Sequence, residues 1–133
     1  MRNKKPRSRE LHGKLKKALQ AFESDPHRVF AADGDESRHI EADMDELGLD
    51  SLDDYWDLVY ECIQIALENP SDCFRQPHPQ KSTKHDSTRN RFMWAFEVSH
   101  SNYRNKLYFK FCLKEKEGVS DYIHIDCHES RPK

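Results

Sequence analysis

The chain has no run of residues long and apolar enough to cross a bilayer. No apolar segment of the kind a secretory leader requires follows its basic opening, residues 1–17. Both absences point to the cytosol. Cysteine is scarce and unpatterned. Cys62, Cys73, Cys112 and Cys127 show no C-x-x-C spacing and fall in apolar or strand-like settings, which argues against a disulfide framework and for reduced, partly buried thiols. There are no internal repeats. Apolar residues make up only 35%, equal to the charged share, and at 133 residues the chain is long enough for one domain with a single buried core and too short to expect two. The expected organisation is a flexible basic N-terminus over residues 1–8 and a single domain over residues 9–133.

Charge is present in quantity and segregated along the chain. Residues 1–20 carry eight Lys or Arg against one acid, residues 21–74 two against sixteen, and residues 75–133 twelve against seven. The basic C-terminal part, with its histidines, suits a phosphate backbone. The net charge of −2 confines any nucleic-acid contact to a patch. Taken alone, each charge run reads first as a solvated face.

Hydrophobic periodicity places the elements. Leu11, Leu15, Ala18, Leu19 and Phe22 recur at helical spacing over residues 7–22, with Lys14, Lys16 and Lys17 outward. Residues 27–32 read as a short strand and Glu41 to Leu49 as an acidic helix stopped near Gly48. Ser51-Leu52-Asp53-Asp54 resembles a capping box. It opens a long helix whose apolar stripe is Leu52, Tyr55, Trp56, Val59, Cys62, Ile63, Ala66 and Leu67, broken at Asn69-Pro70. Residues 71–90 form a long polar connection, which in a compact domain is either disordered or part of a binding surface. Strand alternation resumes over residues 91–99 and again in a C-terminal hairpin, residues 106–131, with its turn at Lys116-Glu117-Gly118. Helices first and strands last predict an α+β fold, with N-terminal helices packed on one face of a small antiparallel sheet that ends in the hairpin.

The hairpin carries the chemistry. Leu107, Phe109, Phe111 and Leu113 alternate with Tyr108, Lys110 and Cys112, while Ile123, Ile125 and Cys127 alternate with Tyr122, His124, Asp126 and His128. Pairing across the turn is expected to set Tyr108 near Asp126 and Lys110 near His124. If helices cover the apolar face, Glu97, Tyr108, Lys110, His124, Asp126 and His128 share the other. Such a set could cleave RNA by general acid–base chemistry: histidine suits either proton role, and Lys110 and Arg75 suit phosphate. Arg89, Arg91 and Arg131 would add backbone contacts. Two other readings stand beside it: the polar outer face of a half-buried sheet, and a metal site drawn from His124, Asp126, His128 and Cys112, which lacks a familiar ligand spacing. No cofactor is called for. Tyr103 and Tyr122 read as structural aromatics first and as base-stacking groups second.

Several strings in order resemble the MqsR (motility quorum-sensing regulator) family of toxins, within the RelE-like group of mRNA-cleaving toxins. They are Asp45-Glu46-Leu47-Gly48-Leu49-Asp50, Ser71-Asp72-Cys73-Phe74-Arg75, Phe92-Met93-Trp94, Leu107-Tyr108-Phe109-Lys110 and Ile125-Asp126-Cys127-His128-Glu129, and the resemblance, read loosely, extends over about residues 8–130. The resemblance implies a RelE-like fold and a cytoplasmic, metal-independent mRNA endoribonuclease. Its implied partners are mRNA, a cognate antitoxin protein and the ribosome. It implies a catalytic or RNA-contacting role for Tyr108, and the family's two site lysines fall on Arg75 and His128. The family's strand glutamine falls on Ala95, two residues before Glu97 on the same face. The resulting expectation has His128, Tyr108, Arg75 and Lys110 as the catalytic set and Glu97, His124 and Asp126 in support. The rival is a non-catalytic RNA- or protein-binding module with the same fold.

Overall fold

The computed structural model of the chain describes residues 7–23, 28–30, 37–75, 92–116 and 119–130. The elements run α1 (Ser8–Glu23), β1 (Arg28–Phe30), α2 (Ser37–Leu47), α3 (Leu52–Glu68), α4 (Pro70–Cys73), β2 (Trp94–Val98), β3 (Leu107–Lys116) and β4 (Val119–Glu129). The four strands make one open sheet in the order β1-β4-β3-β2. β2, β3 and β4 form the expected antiparallel meander, and β1 adds a short parallel edge against Tyr122–His124 of β4. The architecture is α+β, and no helix among the described residues is long and apolar enough to cross a membrane.

Each helix end has a local cause. The Ser51 hydroxyl accepts from the Asp54 amide at 3.1 Å, capping α3 as the sequence pattern predicts. Pro70 then occupies the first turn of α4, where a missing amide hydrogen costs nothing. α2 begins four residues before the expected Glu41 and closes at Leu47. There Gly48 adopts φ +72°, and the amides of Gly48 and Leu49 return to the carbonyls of Asp45 and Met44. This is a Schellman closure, which needs the left-handed backbone that glycine adopts without strain.

The helices bury one face of the sheet. Leu11, Leu15 and Ala18 of α1 and Tyr55, Val59, Cys62, Ile63 and Ala66 of α3 pack with Phe96, Leu107, Phe109, Phe111 and Tyr122 of the strands. Phe22 meets Trp56 and Tyr122 edge-on at ring-centroid distances of 5.4 and 4.7 Å, joining α1, α3 and β4. Leu52 departs from its expected stripe and is 50% exposed, while Leu58 is buried in its place. The reason is position: Leu52 is the first residue of α3, beyond the reach of the packing below it.

The hairpin register differs from the expected one. Tyr108 lies opposite His128 and Lys110 opposite Asp126, but the next pair is Phe111 with His124, so the ladder slips by one residue and β4 bulges at Ile125. A one-residue slip reverses which face a side chain takes. His124, expected on the polar face with Lys110, is therefore turned into the helix-covered core and fully buried. Its Nε2 sits 2.6 Å from the Tyr55 hydroxyl and its Nδ1 3.0 Å from that of Tyr122. A neutral imidazole offers one donor and one acceptor, so one tyrosine donates to the ring and the other accepts from it. Tyr122, read first as a structural aromatic and second as a base-stacking group, is likewise fully buried.

The edges and the β2–β3 turn are tied to the helices. Beyond β1, the amides of Cys127 and Glu129 on the open flank of β4 donate to the carboxylates of Asp43 (3.3 Å) and Glu46 (2.7 Å) on α2. The acidic helix thus stands in for a neighbouring strand and blunts the edge. In the turn, the Asn102 amide donates to His100 Nδ1, so Nε2 carries the hydrogen and donates to Glu61 of α3 at 2.7 Å. The Tyr103 hydroxyl donates to the Leu47 carbonyl at 2.7 Å, which gives that tyrosine an anchoring role.

Replacing His124 with Leu is expected to lower stability by about 2 kcal/mol in urea titration, because the two buried hydrogen bonds between the imidazole and the Tyr55 and Tyr122 hydroxyls are lost at ~1 kcal/mol each. Ser51→Ala is expected to cost about 1 kcal/mol through loss of the α3 cap.

Candidate functional site

On the side of the sheet away from the helices, three strands align Glu97 of β2, Tyr108 of β3 and His128 of β4 in one row of directly opposed residues. Neighbouring strands lie ~4.8 Å apart, so the row spans ~10 Å. All three are partly buried. The Tyr108 and His128 rings stack with centroids 5.4 Å apart and an interplanar angle of 24°. His128 Nδ1 lies 2.9 Å from the Glu129 carbonyl, which can only accept. Nδ1 therefore carries the hydrogen and, in the neutral ring, Nε2 carries the lone pair.

Arg75 reaches the row from outside the meander. Phe74, just past α4, bridges to Phe96, and the Arg75 amide donates to the Ala95 carbonyl at 2.7 Å, so this short segment extends the free edge of β2. Phe74 is buried against Trp94 and Phe96 on the core face. Alternation then sends the next side chain, Arg75, to the opposite face. Its Nη1 donates to the carbonyls of Asp72 and Phe74, both at 2.8 Å, and its Nη2 lies 3.5 Å from Glu97 Oε1. The other Glu97 oxygen accepts from the Ser130 hydroxyl. Ser130 was not singled out from sequence, although it stands two residues after His128 and shares its face by the same alternation.

Lys110 occupies the next row, between Ala95 and Asp126, and has no ion-pair partner among the described residues. Asp126 is placed by register only, its side chain lying outside the described set, as do Arg89, Arg91, Arg131 and nearly all of the long polar connection. Ala95, where the resemblance wants a polar group, is fully buried. The face is not polar throughout: Met93, Cys112 and Ile123 make a second, small apolar cluster at its other end.

The sheet separates the residues of the metal reading, because His124 points into the core, Cys112 belongs to the second apolar cluster and His128 lies in the polar row. Among the described residues no group of three His, Cys, Asp or Glu side chains is arranged to hold a metal ion. Glu97, expected to support the catalytic set, is bonded to Arg75 and Ser130.

No family model matches the chain, and no curated protein and no solved structure matches it either.

Cys73 reports on this corner of the molecule. Burial raises its thiol pKa above the ordinary value, Arg75 lowers it in part, and Asp72, Lys106 and Glu68 act more weakly. Cys62, Cys112 and Cys127 are buried while Cys73 is partly exposed. Native protein is therefore expected to take up a single equivalent of iodoacetamide, more slowly than free cysteine at the same pH and faster as pH rises. Arg75→Ala is expected to slow that reaction further, since the thiolate loses a neighbouring positive charge.

Proposed function

We propose that this protein is a metal-independent endoribonuclease of the mRNA-interferase kind, acting on single-stranded RNA with its helices and sheet in a RelE-like arrangement. The observation that carries the reading is the stacked Tyr108–His128 pair, with Glu97 opposite Tyr108 on β2 and the Arg75 guanidinium reaching the same face 3.5 Å from Glu97. Burial does not account for that grouping, since all of its members are partly or largely exposed.

The chemistry follows from the atoms. The Nε2 lone pair of His128 takes the proton of a ribose 2′-OH, and the freed oxygen attacks the adjacent phosphorus. Arg75 and Lys110 offset the negative charge that grows on the phosphorane oxygens. The bond to the 5′ oxygen breaks as that oxygen takes a proton from the Tyr108 hydroxyl, leaving a 2′,3′-cyclic phosphate and a 5′-hydroxyl end. As a toxin of this kind the protein is held by a cognate antitoxin, and its substrate mRNA is met free or on the ribosome. The basic C-terminal part of the chain suits an acidic partner, while its acidic middle suits a basic one.

Ala95 favours a second reading, a non-catalytic binding module, because a buried methyl group occupies the position where the resemblance places a polar contact. Labelled RNA incubated with purified protein in EDTA separates the two. Cleavage that falls ~10²–10⁴-fold in His128→Ala and in Tyr108→Phe supports the enzyme. Salt-dependent binding without turnover, with and without ribosomes, supports the module.

A further inference from the structure

Glu97 is bound at both ends of its carboxylate, and the two ends differ. The contact to Ser130 is a short O–H···O⁻ bond, the stronger, charge-assisted kind. The contact to Arg75, at 3.5 Å, is an ion pair longer than a hydrogen bond. The guanidinium is held independently of Glu97, since both hydrogens of Nη1 are committed to the carbonyls of Asp72 and Phe74. That leaves the Nε–H and the rest of Nη2 without a hydrogen-bond partner among the described residues. Arg75 is also the outer member of the pair, its side chain 44% exposed against 22% for Glu97.

We infer that Glu97 is an internal competitor for phosphate at Arg75, held back from the guanidinium by Ser130, so that Ser130 and Glu97 together set how tightly this face binds a phosphate group. A phosphodiester arriving from solvent meets the exposed side of a guanidinium already fixed in place and displaces only the loose Glu97 contact. The Glu97 charge stays close and opposes it. This places Glu97 as a residue that sets affinity through Arg75 and gives Ser130 its first role. The identity of the phosphate as part of RNA rests on the reading proposed above, whereas the competition does not.

Two substitutions act in opposite directions. Glu97→Gln keeps the shape and the acceptor for Ser130 but removes the charge, and is expected to tighten phosphate binding roughly two- to fivefold, the range of one exposed ion pair. Ser130→Ala leaves Arg75 as the carboxylate's only partner among the described residues, draws it onto the guanidinium and is expected to weaken binding by a comparable factor. Arg75→Ala is expected to abolish both effects. Binding is read with inorganic phosphate, by the shift of the Arg75 Nε–H resonance in the variants that retain it and by calorimetry in all of them. It is read in parallel with a 2′-O-methyl RNA oligomer that cannot be cleaved. A purely structural role would move the melting temperature without producing shifts of opposite sign. Unchanged phosphate affinity in Glu97→Gln, or a shift in the same direction in both variants, overturns the inference whether or not RNA is cleaved. Opposed shifts with inorganic phosphate alone, and no RNA binding, uphold it and instead overturn the ribonuclease reading.

Discussion

Between Lys110 and Phe111 the ladder joining β3 to β4 slips by one residue, and the surplus residue, Ile125, divides β4 into two halves with opposite facing. On the turn side of the bulge, Tyr122 and His124 enter the core, where the imidazole satisfies the hydroxyls of two tyrosines and α1 and α3 close over them. On the other side, His128 faces away from the helices and lies against Tyr108. Two histidines four residues apart, both read as members of one polar wall, thus acquire unrelated roles. Bulges also increase local twist and re-aim side chains, which fits the position of this one beside the only stacked Tyr–His pair of the polar face among the described residues.

The rest of the framework protects that arrangement at its margins. A sheet of this size leaves two open edges, and each is covered by a different device. Carboxylates of α2 accept the amides of Cys127 and Glu129 where β1 ends, which accounts for acidic residues within a helix that also contributes Ile40 and Leu47 to the core. On the far edge, the segment after α4 takes the carbonyl of Ala95 and in doing so delivers Arg75 to the polar face. Edge protection and the supply of a cation are therefore one structural event, and the approach of Arg75 to Glu97 follows from strand alternation after Phe74 is buried.

The polar face is electrostatically restrained. An exposed cation that reaches it, Arg75, is already paired with a carboxylate, and that carboxylate is drawn partly away by a serine. A surface built only for phosphate would omit Glu97. Its presence beside a guanidinium whose Nε–H has no hydrogen-bond partner among the described residues fits the proposed phosphate contact being one of moderate affinity, suited to a ligand that must also leave. The chain's acidic middle, conspicuous along the sequence, resolves in part into helix–strand contacts, since Asp43 and Glu46 accept backbone amides at the sheet edge.

Periodicity alone was sufficient to determine the α+β class, the cap at Ser51, the break at Asn69-Pro70 and the shared face of Glu97, Tyr108 and His128, because each depends on spacing within one element or on alternation within one strand. It placed His124 and Tyr122 wrongly, because alternation carries no mark of a bulge: the extra residue is specified by how β4 meets β3 and by the tyrosine of α3 that waits for the imidazole. The parallel edge strand, the service of α2 carboxylates to β4 and the bond from Ser130 to Glu97 were decided only by tertiary structure. Each joins groups 30 or more residues apart through contacts that no local pattern encodes.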